Sequence, residues 1–150
     1  MTVKPYRSTD RGLPPIARSL PFALIRAREN VMAPIRKMLA ESDITEQQWR
    51  ILRALSEHGP IDATKLAQLA ALQLPSQTRI LQSMERRSLI SRVSSREDRR
   101  RQTVDITPAG EAVIDRHSAQ AKALAYRFKD VLGARDFDRL LALLAKLDNV

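Results

Sequence analysis

The chain has 150 residues, with 26 lysines and arginines against 17 aspartates and glutamates, and the resulting net charge of +9 favours an anionic partner such as nucleic acid or an acidic membrane surface. It contains no cysteine, which excludes disulfides, thiolate chemistry and cysteine-ligated zinc, and two isolated histidines, His58 and His117, do not make a metal site. No apolar run approaches the ~18 to 20 residues that span a bilayer, and the start lacks the apolar core of a signal peptide, so a cytoplasmic protein is expected, either one domain or a small lobe with helical extensions.

Residues 1–15 carry Pro5, Gly12, Pro14 and Pro15 among charges, a composition that cannot bury enough surface to fold alone and predicts a flexible N-terminal arm. From Ile16 the pattern changes. Leu20, Leu24, Ala27, Val31, Ile35 and Met38 recur at steps of three and four, the mark of a long amphipathic helix. Pro34 inside it is expected to kink or break it, because proline removes a backbone donor and crowds the preceding turn. Thr45 then offers a cap, Gln48 three residues on completes a capping box, and Ile44 can staple to Trp49. This second helix runs through Leu52 and Leu55 and should stop at Gly59-Pro60. Ile61 is a candidate minimal strand, and Asp62 caps a third helix with Leu66, Leu69 and Ala70 facing in.

Residues 75–107 are the centre of the organisation. At helical period, Ile80, Leu81 and Met84 share one arc, while Pro75, Thr78, Arg79, Gln82 and Arg86 fall opposite on a short, polar, basic face. Ile90, Arg92, Val104 and Ile106 sit in two short strand-like runs, joined by a loop that carries Arg96, Arg99, Arg100 and Arg101. A polar helix face can enter the major groove, and an arginine-tipped ribbon can reach the adjacent minor groove or the phosphates. Thr107-Pro108 starts a further helix, with threonine as cap and proline at its first position. Val113, His117, Ala121, Leu124, Phe128 and Val131 form its stripe, Gly133 ends it, and a last helix carries Phe137, Leu140, Leu141, Leu144 and Leu147.

These elements predict a mainly α protein: a winged helix-turn-helix with long N- and C-terminal dimerisation helices and a small two- to three-stranded wing sheet. The expected division is an arm at 1–15, a dimerisation helix at 16–43, a DNA-binding lobe at 44–107 and C-terminal dimerisation helices at 108–150. In this order the chain resembles the MarR-type regulators, bacterial winged-helix repressors named for multiple antibiotic resistance. The resemblance covers nearly everything from Ile16 on. Its most specific piece is Asp98-Arg-Arg100-Arg-Gln-Thr-Val-Asp-Ile-Thr107-Pro-Ala-Gly110, which is similar to the family's wing, and Pro75-Ser76, Thr78-Arg79 and Met84-Glu85 are similar to its recognition helix. Ser19-Leu20, Ala27-Arg28-Glu29 and residues 45–50 are similar to the branch that controls homoprotocatechuate and related aromatic-acid breakdown. Two positions depart from the family pattern. Ser88 stands where the family has glycine, which asks a serine to adopt a left-handed conformation at ~1 kcal/mol, and Gln77 stands where relatives carry an apolar residue.

The resemblance implies that Arg79 reads a base, by two-pronged donation to guanine, with Ser76, Thr78 and Gln82 at bases or phosphates and Pro75 and Arg86 on the same face. It likewise places Arg99 in the minor groove and pairs Asp98 with Arg100 to hold the hairpin's shape, while Arg96 and Arg101 touch phosphates. Solvated side chains on an exposed face would look the same in sequence. It further implies an effector pocket where the first two helices meet the lobe, with Ser19, Arg28 and Trp49 receiving a small aromatic acid or its thioester. Trp49 is equally explained as core and as the staple partner of Ile44, and Arg28 as a surface or interface residue. The expected partners are therefore a pseudo-palindromic double-stranded DNA operator, a second copy of the chain and a small-molecule effector, without metal, cofactor or membrane. Glu41, Asp43 and Glu46 suit a helix dipole and nothing pairs them as acid and base, and there is no nucleophile motif or glycine-rich phosphate loop, so no enzyme is expected. The alternative is an architectural, nucleoid-type protein that binds DNA without sequence choice. A basic helical module for protein partners would leave the wing arginines unexplained.

Overall fold

The computed structural model describes residues 12–148 and 150; the arm expected over residues 1–15 therefore lies largely outside the described residues. Among them the order is a 3-10 turn at Ile16–Arg18, then α1 (Leu20–Ala40), α2 (Glu46–His58), β1 (Ile61–Asp62), α3 (Ala63–Leu69), α4 (Leu74–Arg86), β2 (Ile90–Ser94), β3 (Gln102–Ile106), α5 (Pro108–Leu132) and α6 (Ala134–Ala145). The chain forms two units that part between Ala33 and Pro34. Pro34 does not break α1, which is continuous over 21 residues because proline removes one donor from a helix with many other bonds.

In the first unit, the 3-10 turn leads through Ser19 into the N-terminal part of α1, where Leu20, Phe22, Leu24, Ile25 and Val31 are exposed. The apolar stripe read from the sequence is thus uncovered in this half of the helix.

In the second unit, α2 is the central element. Its start is fixed by a complete capping box: the Gln48 N–H donates to Thr45 Oγ1 at 3.2 Å and the Thr45 N–H to Gln48 Oε1 at 3.0 Å. Its end is Gly59, at φ 74°, a conformation that glycine adopts without a Cβ penalty. Trp49, Ile51, Leu52, Ala54 and Leu55 enter a core completed by Met38, Leu39, Leu66, Leu81, Met84, Ile90 and Val104. Each such aliphatic side chain contributes about 1.5–3 kcal/mol on full burial. Asp62 Oδ1 accepts from the N–H groups of Thr64 and Lys65 and starts α3. Leu69, expected to face in, is 39% exposed, and Ala67 takes its place beside Leu66 and Ala70.

The sheet has the order β1-β3-β2 and is antiparallel throughout. Val104 pairs with Ile61 on one side and Arg92 on the other, and it is fully buried at the sheet's centre. Thr107 caps α5 by accepting from the Gly110 N–H at 3.1 Å. A Cβ on Gly110 would collide with the Leu89 carbonyl and the Ile106 side chain, so the glycine lets the first turn of α5 seat on the sheet. α5 packs against α2 and α6. Its predicted stripe is buried only in part: His117 is enclosed, Val113, Ala121, Leu124 and Phe128 are half-buried, and Val131 is 78% exposed.

Candidate nucleic-acid interface and effector cleft

α4 begins with Gln73 as N-cap and Pro75 in its first turn, and Leu81 and Met84 pin its inner face to the core. Pro75, Ser76, Thr78, Arg79, Gln82 and Arg86 are all exposed, so the helix places the six residues read from the sequence on its outer surface. Gln77 lies on the inner face at 4% exposure and donates from Nε2 to the Ala63 carbonyl at 2.7 Å. It ties the start of α4 to the start of α3 and does not contribute to the outer face. Ser88, just past the helix, has φ 57°, the left-handed conformation expected of a serine standing in a glycine position. Its carbonyl accepts from Thr107 Oγ1 at 2.6 Å, which binds the end of α4 to the cap of α5.

The loop between β2 and β3 is held by its own backbone. The Ser95 N–H donates to the Arg101 carbonyl and the Arg101 N–H to the Asp98 carbonyl, each at 2.9 Å, while Ser95 Oγ accepts from the N–H groups of Glu97 and Asp98. Asp98 and Arg100 are joined through the Arg100 backbone N–H, which donates to Asp98 Oδ1 at 2.9 Å, and not through the guanidinium. A carboxylate suits this role because it can close such a turn on a backbone donor two residues on. Arg96, Arg99, Arg100 and Arg101 consequently project from an ordered tip with exposed side chains.

Sequence reasoning left Arg92 without a role. Its Nε donates to Glu85 Oε2 at 2.7 Å and its Nη1 to Gln102 Oε1 at 3.5 Å, so one guanidinium links α4, β2 and β3. The Arg92 side chain is 17% exposed and that of Glu85 41%. Beside this pair, Gln82 and Arg86 line a shallow surface groove.

Trp49 is buried on α2 and walls a cleft of about 340 Å³ between α2 and α5, shared with Arg53, Ile114, Ser118, Ala121, Lys122 and Ala125. Arg53 and Lys122 give this cleft two cations, which sequence reasoning did not single out. Arg53 Nη2 donates to Glu57 Oε1 at 2.6 Å, and Lys122 Nζ stands 6.0 Å from the Tyr126 ring centroid. Arg53 was legible as the residue one helical turn beyond Trp49. Ser19 and Arg28 belong to the first unit, Ser19 half-buried after the 3-10 turn and Arg28 exposed on α1. Among the described residues, no His, Asp or Glu cluster could hold a metal ion, and no helix is long and apolar enough to cross a membrane.

The arrangement is matched by known proteins. The chain is 35% identical over 132 residues to the HTH-type transcriptional regulator FarR of Neisseria gonorrhoeae, covering 88% of this chain and 90% of that protein. It is 39% identical over 109 residues to the homoprotocatechuate degradative operon repressor of Escherichia coli, covering 73% of each. The crystal structure of NadR in complex with 4-hydroxyphenylacetate aligns with a TM-score of 0.76 at 34% identity, over 90% of this chain and 97% of that one. The MarR family model matches residues 44–101, from the capping segment of α2 to the wing tip. With this likeness extending along most of its length, the chain belongs to the MarR family of transcriptional regulators.

Proposed function

We propose that the protein is a homodimeric repressor that binds a pseudo-palindromic DNA operator and releases it when an aromatic acid occupies the Trp49 cleft. The observation that carries this reading is the division of α4 into a pinned inner face and an outer face of Pro75, Ser76, Thr78, Arg79, Gln82 and Arg86, beside an ordered loop that projects Arg96, Arg99 and Arg101. On this reading Arg79 reads a guanine edge, Ser76, Thr78 and Gln82 contact bases or phosphates, Arg86 adds positive charge, Arg99 enters the minor groove, and Arg96 and Arg101 hold phosphates. Asp98 and Arg100 shape the tip. Exposed Val131 and Leu132 on α5 and Leu140, Leu141 and Leu143 on α6 are apolar surface for a second copy to cover.

The effector reading rests on the cleft's chemistry. An indole wall suits a flat ring, and Arg53 or Lys122 suits a carboxylate better than any group the sequence had pointed to in this unit. Ser19 and Arg28 stay candidate contacts on the strength of the family resemblance. The named activity of the Escherichia coli relative and the ligand of NadR both fit a hydroxylated aromatic acid.

The test starts with selection of binding sites from randomised duplexes, followed by release titrated with phenylacetic, benzoic and cinnamic acids. Recovery of one palindrome is expected, with Arg79→Ala losing ~1 to 3 kcal/mol of discrimination at one base step. Arg99→Ala should weaken binding according to the A·T content of the flanks. If no site is enriched, or both variants lose affinity equally for selected and random DNA, the protein is an architectural DNA binder. Arg53→Ala and Lys122→Ala should raise the acid concentration needed for release; unchanged titrations in both would remove the cleft from the proposal.

A further inference from the structure

A polar cluster away from both surfaces joins them through the turn between α1 and α2. Ser42 Oγ lies 2.7 Å from Nε2 of His117 on α5. His117 is 1% exposed, and its ring meets Trp49 edge-on, with centroids 6.1 Å apart and planes at 87°. From the other side, Arg87 grips the same turn: Nη1 donates to the Asp43 carbonyl at 2.7 Å and Nη2 to the Ser42 carbonyl at 3.1 Å. The turn's own bonds employ the N–H groups of Ser42, Asp43 and Ile44, which leaves those two carbonyls for Arg87. Asp43 sits at φ 52°, a left-handed conformation that costs a non-glycine residue energy and is held here by contacts on both sides. Arg87 is the C-cap of α4, the helix that carries Arg79.

We propose that the Ser42–Asp43 turn is a clasp through which the Trp49 cleft sets the position of α4, with His117 and Arg87 as its positioning residues. The proposal rests on the reading that an aromatic acid enters that cleft. An occupant that shifts the indole must shift the enclosed imidazole, because a close-packed interior leaves that ring no slack. Motion of the imidazole breaks or redirects its bond to Ser42, a two-state event that a continuous deformation would not provide. The two carbonyls then move against Arg87, and the end of α4 follows. Both helix ends of the DNA-facing element are thereby held: Gln77 fixes the start to α3, and the clasp fixes the finish.

Trp49 is the sole tryptophan in the sequence, so its emission reports on the far end of the chain of contacts without ligand or DNA. Emission of the full-length protein is compared for wild type, Arg87→Gln, Ser42→Ala, the double variant, and Ser42→Thr combined with Arg87→Gln. Arg87→Gln should alter Trp49 emission, the alteration should vanish in the Ser42→Ala background, and Ser42→Thr, which keeps the hydroxyl, should restore it. No change on Arg87→Gln, or an equal change in every background as a plain charge effect would give, overturns the clasp. In a second arm, 4-hydroxyphenylacetate is titrated against protein bound to the selected operator. Arg87→Gln should bind the acid within about twofold of wild type yet lose roughly fivefold to tenfold of the acid's effect on operator affinity. An acid effect of wild-type size in Arg87→Gln also overturns the proposal. If wild type neither binds nor responds to any aromatic acid, the effector reading fails by itself, and the emission comparison still decides the clasp.

Discussion

Gln77 shows how a single polar residue can be structural at a position surrounded by residues proposed to contact DNA. Its amide is enclosed and has the Ala63 carbonyl as partner, 14 residues earlier in the chain. Gln77→Ala removes the donor from the half-buried Ala63 carbonyl, which costs about 0.5–1.5 kcal/mol, the net worth of a typical intramolecular hydrogen bond. Chemical denaturation should record that loss, while the protein that remains folded keeps the wild-type order of preference among DNA sites. A change in site preference would return Gln77 to the reading face. Ser88 makes the opposite case. Its φ of 57° carries ~1 kcal/mol of left-handed strain, against which glycine loses roughly 0.5–1 kcal/mol through the unfolded chain. Ser88→Gly should therefore be neutral to slightly stabilising in thermal unfolding, with the Thr107 bond to the residue 88 carbonyl intact because it uses the backbone. A clear fall in the unfolding temperature would mean that the serine side chain does something the backbone geometry does not require.

At the scale of elements, local signals were legible and tertiary ones were not. The caps Thr45, Asp62 and Thr107 each act within three residues of themselves, and each holds the helix start that the sequence placed there. On the outer face of α4, Pro75, Thr78, Arg79, Gln82 and Arg86 followed from the helical period, and Ser76 from the family resemblance. Leu69 was misplaced because α3 has only seven residues with apolar side chains on more than one arc, so no wheel can choose among them. Ser42 and His117 are 75 residues apart, and no local pattern could have paired them. Arg92 is likewise intelligible only once β2 lies beside α4. Its ion pair with Glu85 is partly exposed and should contribute no more than about 1 kcal/mol to stability. Its effect on DNA binding should be larger in proportion, because Glu85 without Arg92 is a negative charge relieved of its ion-pair partner, next to Gln82 and Arg86 on the face proposed to meet phosphates. Arg92→Ala should thus weaken DNA binding most at low salt, and Glu85→Gln in the same chain should recover part of the loss. If the second substitution recovers nothing, the pair acts by holding the wing against α4 and not by neutralising Glu85.

For the whole molecule, the exposed apolar residues near the C-terminus are the surface proposed for assembly. Leu140, Leu141 and Leu143 lie on α6 between 40% and 52% exposed, and Val131 and Leu132 are exposed at the end of α5. Soluble monomers rarely expose a contiguous apolar patch beyond a few hundred Å², so a second copy is the expected cover, and a two-fold axis is the commonest closed arrangement. Two copies would fill both half-sites only if their α4 helices stand about one turn of DNA apart, roughly 34 Å. Dimerisation then multiplies affinity without new contacts, because the second half-site is met at high effective concentration, an advantage of ~10²-fold or more. Leu141→Glu combined with Leu143→Glu places charges in the apolar patch and leaves the core residues of α2 and α4 untouched. Sedimentation at micromolar concentration should show a dimer for wild type and a monomer for this variant. The monomer should keep its helical circular dichroism, bind a single half-site as wild type does, and lose about 10²-fold or more on the full palindrome. A wild-type monomer, or a monomeric variant that binds the palindrome undiminished, would place the basis of operator recognition within one chain and remove the two-fold axis from the proposal.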